Sequence, residues 1–92
     1  MINSDIKTAS KLCNQLIKEI DERWAQDKSG RCYLIRRVEC SNKYIALQPK
    51  YSETFYGISD FMQVAQACGC GSFVEVRENL EGIKTPTLVI HQ

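Results

Sequence analysis

The stretch RCYLIRRVECSNKYIALQPK, residues 31–50, carries the pattern that decides the fold. Apolar and polar residues alternate with a period of two on both sides of Ser41 and Asn42, which is typical of two strands joined by a tight turn. If these two residues form the turn, Cys40 pairs with Lys43 and the rest of the register follows. The stretch therefore predicts an antiparallel β-hairpin.

This register gives the hairpin an apolar face and a mostly polar face. The apolar face carries Leu34, Val38 and Leu47, which are expected to point into a core. The polar face carries Arg31, Tyr33, Ile35, Arg37 and Glu39 opposite Tyr44, Ala46, Gln48 and Lys50. Arg36 falls on the apolar face, opposite Leu47. Either it lies at a sheet edge with only its stem packed, or a β-bulge shifts the register.

The segment before the hairpin predicts an amphipathic helix. Apolar residues recur at spacings of three and four from Ile6 to Trp24. Ser4 can cap the first turn, and Asp5 suits the positive end of the helix dipole. Trp24 continues the apolar stripe at the far end, so we expect its ring to pack against the sheet.

The segment after the hairpin predicts a second helix, from Ser59, and two more strands in SFVEVRE (72–78) and TPTLVIHQ (85–92). Pro86 places the last strand at an edge, or makes that strand start after the proline. The resulting order, α-β-β-α-β-β, predicts an α+β fold with a four-stranded, mainly antiparallel sheet and both helices on one face. A chain of this length suits a single domain over residues 1–92.

The sequence CGCG, residues 68–71, is the stretch that most resembles a chemical site. Cys68 is the last member of an apolar helical stripe, and Gly69 follows where a left-handed C-cap is expected, so the stretch predicts a helix end. A structural zinc needs four ligands, usually with a C-x-x-C knuckle, which the sequence lacks. The candidate zinc ligands are Cys32, Cys40, Cys68, Cys70 and His91, and the further alternative is a redox pair formed by the two cysteines of CGCG. We expect no metal and no cofactor.

Catalysis is not expected, because His91 is the single histidine and nothing in the sequence pairs it with a thiol. The polar start of the chain, the lack of a long apolar run and the odd number of cysteines, five, predict a cytoplasmic protein with free thiols and no membrane segment.

Positive charge is concentrated in the hairpin, where residues 31–50 hold five basic side chains and one acid, for a net charge of +4. Flat rings accompany these cations, a combination suited to phosphate backbones and unstacked bases. The candidate partner-binding residues are Arg31, Tyr33, Arg37, Tyr44 and Lys50. The alternative is that they form an ordinary solvated sheet face.

The format of the chain, with one long helix, IKTASKLCNQLIKEI, and charged patches on a small sheet, resembles the single-domain anti-CRISPR proteins that phages carry, especially those of the type I-F class. The resemblance implies a non-enzymatic inhibitor, acting in the host cytoplasm, that blocks a CRISPR surveillance nucleoprotein complex through protein and guide-RNA contacts. It transfers no residue roles. The alternatives are a free-standing RNA- or DNA-binding accessory protein of a mobile element, and a small Cys- or metal-dependent enzyme. The expected partner presents an RNA backbone or an acidic protein surface.

Overall fold

The computed structural model of this protein describes residues 5–92. Its elements are helix α1 (Ile6–Trp24), a 3-10 helix (Lys28–Tyr33), strands β1 (Ile35–Cys40) and β2 (Tyr44–Pro49), helix α2 (Ile58–Ala67), and strands β3 (Gly71–Glu78) and β4 (Lys84–His91). The predicted order α-β-β-α-β-β is confirmed, with the 3-10 helix as an addition. The strands form one antiparallel sheet in the order β1-β2-β4-β3. None of the helices within residues 5–92 combines the length and apolar character that a membrane-spanning segment needs.

The core lies between the two helices and one face of the sheet. Its strand residues are fully buried: Ile35, Ile45, Leu47, Leu88 and Ile90. Ile6 and Cys13 of α1 and Phe61 and Ala65 of α2 pack against them. Each fully buried aliphatic side chain contributes roughly 1.5–3 kcal/mol to the stability of the fold. The burial of these strand residues therefore stabilises the fold more than any single surface contact does.

The start of α1 is fixed by Asp5. Its carboxylate accepts hydrogen bonds from the N–H of Thr8 at 3.0 Å and from the Thr8 hydroxyl at 2.6 Å, which lowers the pKa of the carboxyl. The N–H of Asp5 donates to the carbonyl of Cys68 at 2.9 Å, so the start of α1 is tied to the end of α2. The predicted capping role of Ser4 lies outside the described residues.

The end of α2 confirms that CGCG stops a helix. Gly69 has a left-handed φ of +70°, and its N–H donates to the carbonyl of Gln66 at 3.1 Å. The N–H of Cys70 donates to the carbonyl of Ala65 at 2.9 Å, which completes a Schellman motif. Cys68 is buried, as its position on the apolar stripe predicts.

The predicted turn of the first hairpin is wrong. Cys40 pairs with Ile45 instead of Lys43, so three residues separate the two strands. The hydroxyl of Ser41 accepts hydrogen bonds from the N–H groups of Lys43 and Tyr44, each at 3.1 Å. These bonds satisfy the loop backbone and stabilise the longer connection.

A β-bulge then changes which residues share a face. The ladder shifts between Arg37 and Glu39, which is the irregularity considered above for Arg36. Arg37 pairs with Leu47 and shares its core side, whereas Arg36 belongs to the opposite side. Ile35, predicted on the polar face, is fully buried in the core.

Both expectations for Pro86 are wrong, because β4 lies between β2 and β3 and begins at Lys84, before the proline. Pro86 pairs with Val76 of β3, but the pairing of β4 with β2 begins only at Leu88. Pro86 therefore lies in a part of β4 that pairs only with β3. On its other side no strand is present, so the N–H that proline lacks is not needed for a hydrogen bond to a second strand.

The ring of Trp24 packs on the 3-10 helix and not, as expected, on the sheet. Its centroid lies 4.7 Å from that of Tyr33. Gly30 is buried beneath it, and a Cβ added there would lie 2.3 Å from Cε3 of the indole. The glycine therefore allows the tryptophan to seal the end of α1 against the following turn.

We predict that Gly30→Ala lowers the free energy of unfolding by about 1–3 kcal/mol, because the new methyl overpacks the indole. In a Trp24→Ala background the same change should cost at least about 1 kcal/mol less, since the clash is gone. Urea unfolding of the two single variants and the double variant measures this coupling. Equal costs in both backgrounds would contradict the contact.

Candidate binding groove on the open sheet face

The face of the sheet away from the helices, here called the open face, carries a groove of about 450 Å³. Every residue that lines it comes from β2, β3, β4 or the chain beside them: Lys43, Tyr44, Phe73, Glu75, Arg77, Val89, His91 and Gln92. The strand register explains the assembly, because Tyr44 pairs with His91 and Phe73 pairs with Val89. Paired residues point to the same side of a sheet.

Aromatic rings form one wall of this groove. Phe73 is 49% exposed, and its centroid lies 5.8 Å from the imidazole of His91. Nδ1 of His91 lies 2.8 Å from the carbonyl oxygen of Gln92. A Cβ on Gly71 would lie 2.5 Å from Cε1 of His91, so this glycine makes room for the imidazole against the backbone of β3.

A charged network forms the opposite part of the open face. The hydroxyl of Tyr44 donates to Oε2 of Glu39 at 2.5 Å, and the guanidinium of Arg77 donates to Oε1 of Glu39 at 2.5 Å. Arg77 also binds Glu75, its neighbour two residues earlier on β3. Strands β1 and β3 are the two edges of the sheet, and in a flat sheet they would lie about 14 Å apart. Because Glu39 and Arg77 nevertheless form an ion pair, the sheet is twisted and its open face is concave.

The network also fixes the charge of its members. Hydrogen bonds from Tyr44 and then Arg77 hold the pKa of Glu39 below its ordinary value. The bond to Glu39 raises the pKa of the Tyr44 phenol. The bond to Glu75, followed by that to Glu39, raises the pKa of Arg77. Glu39 is therefore ionised and Tyr44 is protonated at neutral pH.

The floor beside the network is polar but satisfied. Oε1 of Gln48 accepts from Nε of Arg36 at 3.0 Å, and Nε2 of Gln48 donates to the hydroxyl of Thr87 at 3.0 Å. Gln48 and Thr87 are both fully buried. Because these polar groups are paired, the floor keeps one arrangement and carries no unmet hydrogen-bonding demand.

The five predicted partner-binding residues do not share a face. Tyr44 lies in the groove. Arg37 points toward α1, where its NH1 donates to Oδ1 of Asn14 at 2.9 Å. The N–H of Lys50 donates to the carbonyl of Leu34 at 2.9 Å, beyond the end of β2.

Arg31 and Tyr33 lie in the 3-10 helix. The alternating pattern predicts instead that both residues belong to the first strand. Arg31 forms an ion pair with Glu81 at 3.2 Å, and its guanidinium lies 3.8 Å from the centroid of Tyr51. Tyr33 contacts Tyr56 as well as Trp24, with a centroid distance of 5.3 Å to the former. The prediction that the five residues share one face is therefore wrong. A partner-binding role for each of them stays a prediction.

Sequence reasoning missed the residues that build most of the groove. Phe73, Glu75 and Arg77 alternate along β3, and that spacing was sufficient to put their side chains on one face. No local signal identifies His91, because its place depends on the pairing of β4 with both of its neighbours.

Two of the five thiols are buried and two others contact backbone carbonyls, whereas Cys40 is exposed. Burial raises the pKa of Cys13 to about 12, and burial also raises the pKa of Cys68. The sulfur of Cys70 contacts the carbonyl of Cys68 at 3.8 Å, and that of Cys32 contacts the carbonyl of Ser29 at 3.7 Å. In the part of the chain that the structure describes, no three His, Cys, Asp or Glu side chains converge as metal ligands would.

The chain matches no protein-family model, no curated protein and no solved structure. The resemblance to phage-encoded inhibitors therefore stays an expectation from sequence format.

We predict that the stability of the fold falls on acidification partly through Glu39. Because the folded-state pKa of this carboxyl lies below the ordinary value of 4.5, its contribution is complete above that pH and is lost as pH falls through the lowered pKa. The free energy of unfolding should therefore fall less steeply between about pH 6 and pH 3 in Glu39→Gln than in the unaltered protein. Urea unfolding at several pH values measures the two slopes.

Glu53→Gln is the matched control, because Glu53 is an exposed acid outside the network. It should keep the slope of the unaltered protein. If Glu39→Gln keeps that slope as well, the network contributes nothing to the acid sensitivity.

Proposed function

We propose that this chain is a non-enzymatic binding protein that inhibits a CRISPR surveillance nucleoprotein complex, and that it does so in the cytoplasm of the host cell. The observation that carries the proposal is the half-exposed ring of Phe73 in a concave groove on the open face. Exposed aromatic rings in preformed grooves are typical of the central contacts of protein interfaces.

The groove is suited to binding because its walls are already held in place. Tyr44 and Arg77 are fixed by Glu39, and His91 is seated on the backbone of Gly71. A partner that fills the groove therefore orders few additional side chains, which lowers the entropic cost of association. The gain comes from covering the half-exposed ring of Phe73, which lies beside the already buried Val89.

Charge at the rim favours a partner of mixed character. Lys43 is exposed at one end of the groove, while Glu75 offers a carboxylate that Arg77 only partly neutralises. A nucleoprotein complex presents both phosphate and protein surfaces, so it can provide charges complementary to both Lys43 and Glu75. The surface thus supports contacts with a protein and with its bound RNA.

A free-standing nucleic-acid-binding protein is the second candidate function. The specific observation in its favour is that rings of Tyr44, Phe73 and His91 lie on one open sheet face, where unstacked bases could stack. The third candidate is a small Cys- or metal-dependent enzyme. Burial raises the pKa of Cys13 and of Cys68, so these two thiols are poor nucleophiles.

The test is inhibition of target-DNA binding by a guide-loaded type I-F surveillance complex, followed by fluorescence anisotropy of labelled DNA. Phe73→Ala should raise the concentration needed for half-inhibition at least about tenfold, because truncating a central ring costs 1.4 kcal/mol or more at such a contact. Circular dichroism should show an unchanged fold, since half of this side chain is already in water.

Val76→Ala is the control, because Val76 lies on the same strand, is 67% exposed and faces the other side of the sheet. It should inhibit within about twofold of the unaltered protein. Equal inhibition by both variants would remove the groove from the interface. Tight binding of free RNA without any effect on the complex would favour the second candidate function.

A further inference from the structure

A second groove, of about 290 Å³, lies between the first half of α1 and the turn of the first hairpin. Helix α1 and the hairpin line it together: Ile6, Lys7, Ser10, Lys11, Cys40, Ser41 and Asn42. We call it the basic groove. It is lined by none of the residues of the groove on the open face.

Positive charge dominates the basic groove. Lys7 and Lys11 are exposed and lie one helical turn apart, so their ammonium groups share one side of α1. Arg37 approaches from β1, where its NH1 lies 3.4 Å from the hydroxyl of Ser10. The nearby acid is Asp5, whose two oxygens both accept hydrogen bonds from Thr8.

The positive surface continues along α1 beyond the groove. Lys18 falls on the same helical face as Lys7 and Lys11, which makes a row about 16 Å long. Between Asp5, at the start of the helix, and Glu19, α1 carries no acid, so the three lysines of this row leave it with a net positive charge. Cations in a row suit a partner whose negative charges repeat at regular intervals.

Neutral hydrogen-bond donors lie between these cations. The hydroxyl of Ser10 accepts from Arg37 and keeps its own hydrogen free to donate. The side chain of Asn42 is exposed at the opposite rim of the groove. Hydroxyl and amide groups of this kind, together with lysine and arginine, make most protein contacts to phosphate oxygens.

We propose that the basic groove and the lysine row of α1 bind the sugar–phosphate backbone of a nucleic-acid strand, without regard to sequence. A backbone carries one charge per nucleotide at regular spacing, which an acidic peptide with alternating side-chain directions does not reproduce. The inference rests on the proposed function for its partner, since the guide RNA of the inhibited complex supplies such a strand. Its test uses free RNA and does not depend on inhibition.

The experiment measures anisotropy of a labelled twelve-nucleotide single-stranded RNA of mixed sequence, at about 50 and 200 mM salt. Because Lys7, Lys11, Lys18 and Arg37 can each neutralise about one phosphate, the slope of log affinity against log salt should be on the order of −2 to −3. Lys7→Glu/Lys11→Glu should weaken binding at least about tenfold at the lower salt concentration. In the unaltered protein, amide chemical shifts should move on RNA addition in residues 6–11 and 40–42.

Lys28→Glu/Lys84→Glu is the control, because both lysines are exposed, lie outside the basic groove and give the same change in net charge. It should bind RNA within about twofold of the unaltered protein. Equal losses in the two double variants would mean that only net charge matters, which overturns the proposal. Binding of a ten-residue polyglutamate peptide but not of RNA would overturn it in favour of an acidic protein partner.

Phe73→Ala should leave RNA binding unchanged even if it abolishes inhibition, so failure of the groove on the open face is distinguishable from failure of the basic groove.

Discussion

The β-bulge between Arg37 and Glu39 determines which way the charged residues of β1 point. If the pairing of Arg37 with Leu47 continued without a shift, Glu39 would pair with Ile45, which is fully buried in the core. A carboxylate there would lie on the side of the sheet that faces α1, away from Tyr44 and Arg77. The bulge moves Glu39 to the open face instead, while Arg37, before the bulge, still points toward α1. One extra residue thus separates an acid and a base that are close in sequence onto opposite sides of the sheet.

Both proposed binding surfaces depend on that separation. On the open face, Glu39 accepts from Tyr44 and Arg77 and so connects the two edges of the sheet beside Phe73. On the other side, Arg37 bonds to α1 and adds its charge to Lys7 and Lys11. The two surfaces differ in physical character. One offers a ring in a concave groove, where desolvation of apolar area drives binding, and the other offers an exposed row of cations, whose effect weakens with salt.

The two proposed surfaces, if both bind, allow this small domain to contact protein and nucleic acid of one complex at the same time. Each contact then raises the effective concentration of the other, so neither has to be strong alone. The rigid sheet between them is held by the core residues Ile35, Ile45 and Leu47 and by the buried pair Gln48–Thr87. That rigidity keeps the two surfaces at a fixed separation, which favours a partner of matching geometry.

The sequence by itself determined the element order, the two buried helical stripes and the stop at Gly69, because these features depend on neighbours within a few residues along the chain. It located the alternation of the first hairpin but not its register, since Arg31 and Tyr33 belong to a 3-10 helix and the bulge lies inside the strand. It identified Tyr44 as a surface residue and missed Phe73 and His91, which meet only when β4 pairs with both β2 and β3. Tertiary structure alone decided those positions. Strand pairing joins residues far apart in sequence, and with a side-chain period of two, a slip of one residue moves every side chain to the other face.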